Sequence, residues 1–162
     1  MKTIGHKRAI QSLRNAEQKG RLAHAYLFTG PSRIGKTTLA IDVACMVNCQ
    51  QSKKPCGECG PCKRILQKIH ADVKIIRVSS AEGRTGNRSS IGIDQIRQLE
   101  KEANLKPFEG ICRVFIIEET HLMSSEAANA LLKTLEEPPD QVLILLLSSE
   151  AHTIPVTVVS RC

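Results

Sequence analysis

The octapeptide GPSRIGKT, Gly30 to Thr37, lies between an apolar run, AYLF from Ala25 to Phe28, and a helix-like segment, KTTLAIDVACMVNC. It fits G-x-x-x-x-G-K-[ST] in full, and a strand before it with a helix after it is the arrangement that motif requires. Glycines let the backbone curl so that successive N–H groups face phosphate oxygens, and the helix adds its positive amino end. Gly30, Pro31, Ser32, Arg33, Ile34 and Gly35 then form the cradle, Lys36 reaches the β and γ phosphates, and the Thr37 hydroxyl is placed to ligate Mg²⁺. A chain built round this loop is expected to bury the strand that feeds it, which points to a parallel sheet covered by helices.

The remaining pattern agrees. Helical spacing of Ile10, Leu13 and Ala16 predicts a surface helix from Gly5 to about Lys19. DVKIIRVS, Asp72 to Ser79, reads as a second strand, followed by polar AEGRTGNRSS, Ala81 to Ser90, expected to be mobile. IDQIRQLEKEA returns to helical spacing, RVFIIE is a third strand, and QVLILLLSS a fourth. Between the last two, Ser124 or Ser125 caps a helix that Pro138 and Pro139 end. Strands alternating with helices imply crossover connections and an α/β layered domain. At 162 residues the chain has room for one such domain.

Composition sets limits. Hydrophobic residues make up 41% and charged residues 24%, with no apolar run long enough to span a bilayer and no signal-type start, so a soluble cytoplasmic protein is expected. The net charge of +7 favours an anionic partner such as a nucleotide or nucleic acid. Aromatics at 2% argue against a platform for stacking single-stranded bases. Lys53, Lys54, Lys63, Arg64 and Lys68 read as a solvated basic face rather than a DNA contact.

Two further constellations carry chemistry. The third strand stops at Glu118 and Glu119. Glu118 is the acidic group expected on the strand neighbouring the phosphate-loop strand to hold Mg²⁺, and Glu119, on the other side of the strand path, is the candidate to orient or deprotonate an attacking water. Glu stands at 118 where Asp is usual, moving the carboxylate out by about 1.5 Å. Cys49, Cys56, Cys59 and Cys62, spaced C-x6-C-x2-C-x2-C, suit a closed structural Zn²⁺ site in an insertion of about residues 49–65 that shows neither helical nor strand period. An iron–sulfur cluster is the alternative, and Cys45 a competitor for fourth ligand. Cys112 and Cys162 read as plain thiols.

RLAHAYLFTGP with its phosphate loop, the four-cysteine module, IDQIRQLEKEA, ALLKTLEEPP and the closing SRC together resemble the nucleotide-binding domain of bacterial DNA polymerase III clamp-loader subunits, of the AAA+ class, over essentially the whole chain. The resemblance implies a three-layer αβα P-loop domain over 1–162, RecA-like, in a subunit of a pentamer that opens a sliding clamp and closes it on primed DNA in the replisome. It implies ATP with Mg²⁺ as ligands and the gamma/tau and delta subunits, the clamp and primed DNA as partners. By matching position it makes Glu118 and Glu119 the Walker B pair, Ser148 or Ser149 the sensor-1 region, and Arg161 an arginine finger acting in trans; Ile4 and Gly5 fall near the adenine-contacting segment. The family's helical lid and collar would follow Cys162, so the chain is expected to be a piece of a longer protein. Glu-Glu at Walker B and a start at MKTIGHKRAI point to a delta-prime type of subunit that binds nucleotide better than it turns it over; a gamma/tau-type motor is the alternative.

Overall fold

Strands Val142–Ser148 and Arg113–Ile117 are buried at every position, which is what the middle of a sheet covered on both faces demands of its side chains. The computed structural model describes residues 3–78 and 90–162. In chain order its elements are α1 (Lys7–Gln18), β1 (Ala25–Thr29), α2 (Lys36–Asn48), α3 (Gly60–Leu66), β2 (Val73–Ile76), α4 (Ile93–Ala103), β3 (Arg113–Ile117), α5 (Ser125–Glu136), β4 (Val142–Ser148) and a single turn α6 (Val156–Val159). The sheet order is β1-β4-β3-β2 and every pairing is parallel. Ser79, the expected end of the second strand, and residues 81–89 of the polar segment lie outside the described residues.

Period-2 alternation in the two central strands divides the core. Val114, Ile116, Leu143, Leu145 and Leu147 pack with α1, α2 and α3; Phe115, Ile117, Ile144 and Leu146 pack with α4, α5 and α6. Each such side chain contributes about 1.5–3 kcal/mol on burial. The result is the expected three-layer αβα arrangement. Among the described residues, no helix is long and apolar enough to cross a membrane.

Two features depart from the sequence reading. The first is α3: Pro61 sits in its first turn, and its buried face consists of Pro61, Cys62 and Ile65. Seven residues whose inward positions include a thiol give no visible apolar period. The second is the sheet order, since β4 lies between β1 and β3, so Glu118 does not follow the strand neighbouring the phosphate-loop strand. The tandem prolines end α5 as expected: it stops at Glu136, because Glu137 precedes Pro138 and takes φ −124°, ψ 69°, away from the helical region. Its other end behaves as expected, with Ser124 Oγ accepting the Ala127 N–H at 3.1 Å.

At the amino-terminal edge of the sheet, Asp72 is fully buried and accepts the N–H groups of Phe108, Glu109 and Gly110 at 2.7–2.8 Å, with Arg113 Nη2 at 3.1 Å. Burial alone would raise its pKa, but these donors outweigh it and hold the carboxyl below its ordinary value of 3.8. A lowered folded-state pKa contributes stability above the unfolded value, and that stability is lost as pH falls through the folded one. Asp72→Asn is expected to cost about 2 kcal/mol at pH 7. In urea unfolding its deficit against the parent should narrow below about pH 4.

Candidate functional site

The carboxyl ends of the strands gather the loops of interest along one edge. β1 ends at Thr29, beside Ser148 of β4, and the Gly30 N–H donates to the Ser148 carbonyl at 3.3 Å. The loop then needs positive φ at Gly30 (145°), Arg33 (63°) and Gly35 (97°). At φ 145° Gly30 holds a conformation that other residues rarely adopt, and a Cβ there would also press on Ile34 Cδ1 at 2.6 Å. Lys36 Nζ donates to the Gly30 and Pro31 carbonyls at 2.6 and 2.8 Å, and burial lowers its pKa. His6 braces the loop from outside, its Nε2 donating to the Ile34 carbonyl at 3.1 Å. Together with Ala9, Leu27, Phe28 and Leu39, His6 and Lys36 line a hollow of about 260 Å³. A larger hollow of about 560 Å³, between Leu22, Val47, Pro138 and Pro139, lies at the opposite edge, beyond the far end of α2.

The decisive contact crosses the sheet: the Thr37 hydroxyl donates to Glu118 Oε1 at 3.0 Å. β4 therefore separates the two strands without separating the two groups, and the longer Glu side chain reaches the loop. Glu118 has a second partner that sequence reasoning missed. Arg77, just past β2, donates from Nε to Glu118 Oε2 at 2.7 Å, while its carbonyl accepts from Gln95 Nε2 at 2.8 Å. Only the β2·β3 pairing brings position 77 beside 118, and no local pattern marks it.

Glu119 does not continue the strand alternation. It takes a left-handed φ of 52° ahead of the turn Thr120–Leu122, and its exposed carboxylate has no hydrogen-bond partner among the described residues. Ser148 is buried; its Oγ accepts the Glu150 N–H at 3.0 Å and lies 3.4 Å from His121 Nδ1. Ser149 Oγ is 3.4 Å from the other ring nitrogen, so His121 bridges both serines. Arg161 stands apart from this cluster, its guanidinium bonded to Glu136 Oε1 at 2.5 Å and the Thr157 carbonyl at 2.7 Å. Ile4 is 93% exposed rather than packed on the hollow.

At the opposite edge the four cysteines converge. The Sγ atoms of Cys49, Cys56, Cys59 and Cys62 all lie within 4.8 Å of one another, with the 49–59 and 56–62 pairs at 4.0 Å. Tetrahedral Zn²⁺ with bonds of about 2.3 Å needs sulfurs about 3.8 Å apart, so the donor set fits that ion. A cluster would bind the thiolates through different irons and spread them further. The Cys59 and Glu58 N–H groups donate to Cys56 Sγ and lower its pKa to about 6, towards the thiolate a metal requires. Cys45 is not part of this group: its Sγ turns to the Cys62 carbonyl, and burial pushes its pKa up to about 11. Burial likewise takes Cys112 to about 12, an inert thiol. Of the surrounding basic residues, Lys54 pairs with Glu17 at 2.9 Å and Arg64 with Glu109 at 2.6 Å.

With this geometry in place, the family model described as "DNA polymerase III, delta subunit" matches residues 5–162. The chain belongs to the DNA polymerase III delta subunit family. It is 39% identical to DNA polymerase III subunit tau of Bacillus subtilis and 36% identical to that of Escherichia coli K12, each over 98% of this chain. It spans only 27% and 24% of those relatives, about a quarter of their length. Among solved structures, a DNA polymerase III gamma subunit-related protein from Thermotoga maritima matches with TM-score 0.57 and 20% identity over 92% of this chain and 43% of its own. The FIGL-1 AAA domain matches with TM-score 0.60 and 19% identity over 99% of this chain and 51% of its own. Those two likenesses establish the AAA+ P-loop fold. Purified protein is expected to hold close to one zinc per chain by metal analysis, and Cys59→Ser to lose it; an iron–sulfur absorption band would contradict the assignment.

Proposed function

We propose that this chain is the nucleotide-binding domain of a delta-prime-type clamp-loader subunit, one that takes part in ATP-dependent loading of a sliding clamp on primed DNA in the bacterial cytoplasm. The Thr37–Glu118 contact carries the proposal, because it closes a phosphate loop on an acidic group in a member of a DNA polymerase III family. The curled N–H groups of 30–37 and the amino end of α2 bind the phosphates, and Lys36 turns from the loop carbonyls to their charge. Thr37 Oγ1 and Glu118 Oε1 would hold Mg²⁺: adjacent ligands of an octahedral ion with bonds of about 2.0–2.1 Å lie about 2.9 Å apart, close to the 3.0 Å between these oxygens. Bound there, the ion would supply neutralisation of phosphate charge.

Glu119 is the group to hold or accept the proton of an attacking water, and its exposure leaves that water loosely placed. The reading is therefore of a subunit that binds nucleotide and turns it over poorly, while Arg161 serves the nucleotide of a neighbouring subunit. The gamma, tau and delta subunits, the clamp and primed DNA are its proposed partners. A gamma/tau-type motor is the second reading, favoured by the 39% and 36% identities to tau subunits.

ATPase assays of the reassembled full-length loader separate the two. For a delta-prime type, Arg161→Ala should lower DNA-dependent turnover about tenfold or more while nucleotide binding to this chain is unchanged, and Glu119→Gln should leave turnover as it was. For a motor, Glu119→Gln should cut turnover about a hundredfold and spare binding. The Arg77 contact predicts a second measurement. Its side chain is 54% exposed, so the pair with Glu118 is worth at most about 1 kcal/mol. Arg77→Ala should lower the Mg²⁺ concentration for half-maximal nucleotide binding by up to about fivefold, read by fluorescent-nucleotide titration.

A further inference from the structure

The segment 104–112 at the amino-terminal edge of the sheet combines two properties that rarely coincide. It exposes large apolar side chains, with Phe108 84%, Leu105 59% and Ile111 54% exposed. Yet it is fastened: five consecutive backbone N–H groups, 108 to 112, all donate to side chains from elsewhere in the chain. The first three go to Asp72. The last two go to Asn48 Oδ1, at 2.8 and 2.9 Å, while Asn48 Nδ2 returns a bond to the Cys112 carbonyl at 2.9 Å. Glu109 is clasped by Arg64, Nη2 to Oε2 at 2.6 Å and Nε to Oε1 at 3.3 Å, and itself accepts the Ala71 N–H at 3.2 Å.

Two of these three anchors sit on the metal module. Asn48 is the last residue of α2 and precedes the ligand Cys49; Arg64 stands in α3 two residues after the ligand Cys62. The four thiolates join the end of α2 (Cys49) to the start and first turn of α3 (Cys59 and Cys62). Without a metal, that junction is left to the packing of Cys62 and Ile65 against α2 and to long sulfur contacts, Cys45 Sγ to the Cys62 carbonyl at 3.9 Å and Cys62 Sγ to the Cys45 carbonyl at 3.8 Å. Neutralising and holding four thiolates at tetrahedral spacing fixes α3 on α2, and with it the distance between Asn48 and Arg64. There is little slack for the loop to follow if they separate. A Cβ on Gly110 would stand 2.5 Å from Asn48 Oδ1 and 3.2 Å from His70 Cε1, so the loop backbone runs close against Asn48 at the end of α2.

We infer that the four-cysteine module works as a metal-dependent clamp on this loop, holding segment 104–112 and its Leu105, Phe108 and Ile111 side chains in one shape through Asn48 and Arg64. The inference rests on the zinc reading of the site, and a metal assay on the same sample separates the two, since absence of zinc removes both and zinc without coupling removes only the clamp.

Amide hydrogen exchange on the full-length chain, with zinc bound and after chelation, tests it. Loss of metal is expected to accelerate exchange at Ile111, Cys112 and Ala71 about tenfold or more, with a smaller change at Phe108–Gly110, which Asp72 holds independently, and none at Leu145 in β4. Arg64→Ala, at full zinc content, should reproduce the acceleration at Ala71 alone. Unchanged exchange at Ile111 and Cys112 on chelation would overturn the clamp. So would equal acceleration through β4, which would show a metal needed by the whole fold rather than by this loop.

Discussion

The parallel sheet in the order β1-β4-β3-β2 is the constraint from which the other features follow. Parallel strands joined by crossover helices place all their carboxyl ends at one edge, and there the phosphate loop, Glu118, Ser148 and Arg77 are brought together from four separate strands. Full burial of β3 and β4 makes that edge rigid, because any shift of register would move a whole row of apolar side chains to the wrong face. The insertion of β4 between β1 and β3 puts a strand between the two halves of the site. It also supplies the Ser148 backbone that receives Gly30 and leaves a gap that the length of Glu118 bridges.

The two edges of the sheet carry different kinds of polar structure. At the carboxyl edge the groups are partly exposed and exchangeable: Lys36 is held by loop carbonyls, and Glu118 divides itself between a hydroxyl and a guanidinium. At the amino edge, Asp72 and Asn48 are buried and saturated by backbone donors, where removing one partner would strand the others without water. α2, 13 residues or about 20 Å long, connects the two, with Lys36 at its start and Asn48 at its end. The proposed binding groups thus occupy the more exposed edge, and the buried, saturated ones the other.

Glu118 shows why a substitution at a motif position has to be judged in three dimensions. The extra methylene relative to Asp looked like a displacement of the metal ligand, but the carboxylate meets Thr37 at a spacing suited to shared coordination. What alters the site is Arg77, which draws charge from the other oxygen. Glu119 is altered differently, by a left-handed backbone that turns it to solvent.

Periodicity, glycine placement and cysteine spacing were enough to determine the α/β class, the four strands, the curl of the 30–37 loop and the grouping of the four cysteines, because each of these depends on residues close together in the chain. Helix α4 matched IDQIRQLEKEA residue for residue for the same reason. Strand order, the Arg77–Glu118 pair, the His121 bridge between two serines and the Asn48 and Arg64 anchors join residues 27 or more positions apart, and nothing in their local sequence announces them. They were decided by which strands pair and which helix ends meet. That choice is made by packing of the whole core, which no window of the sequence contains.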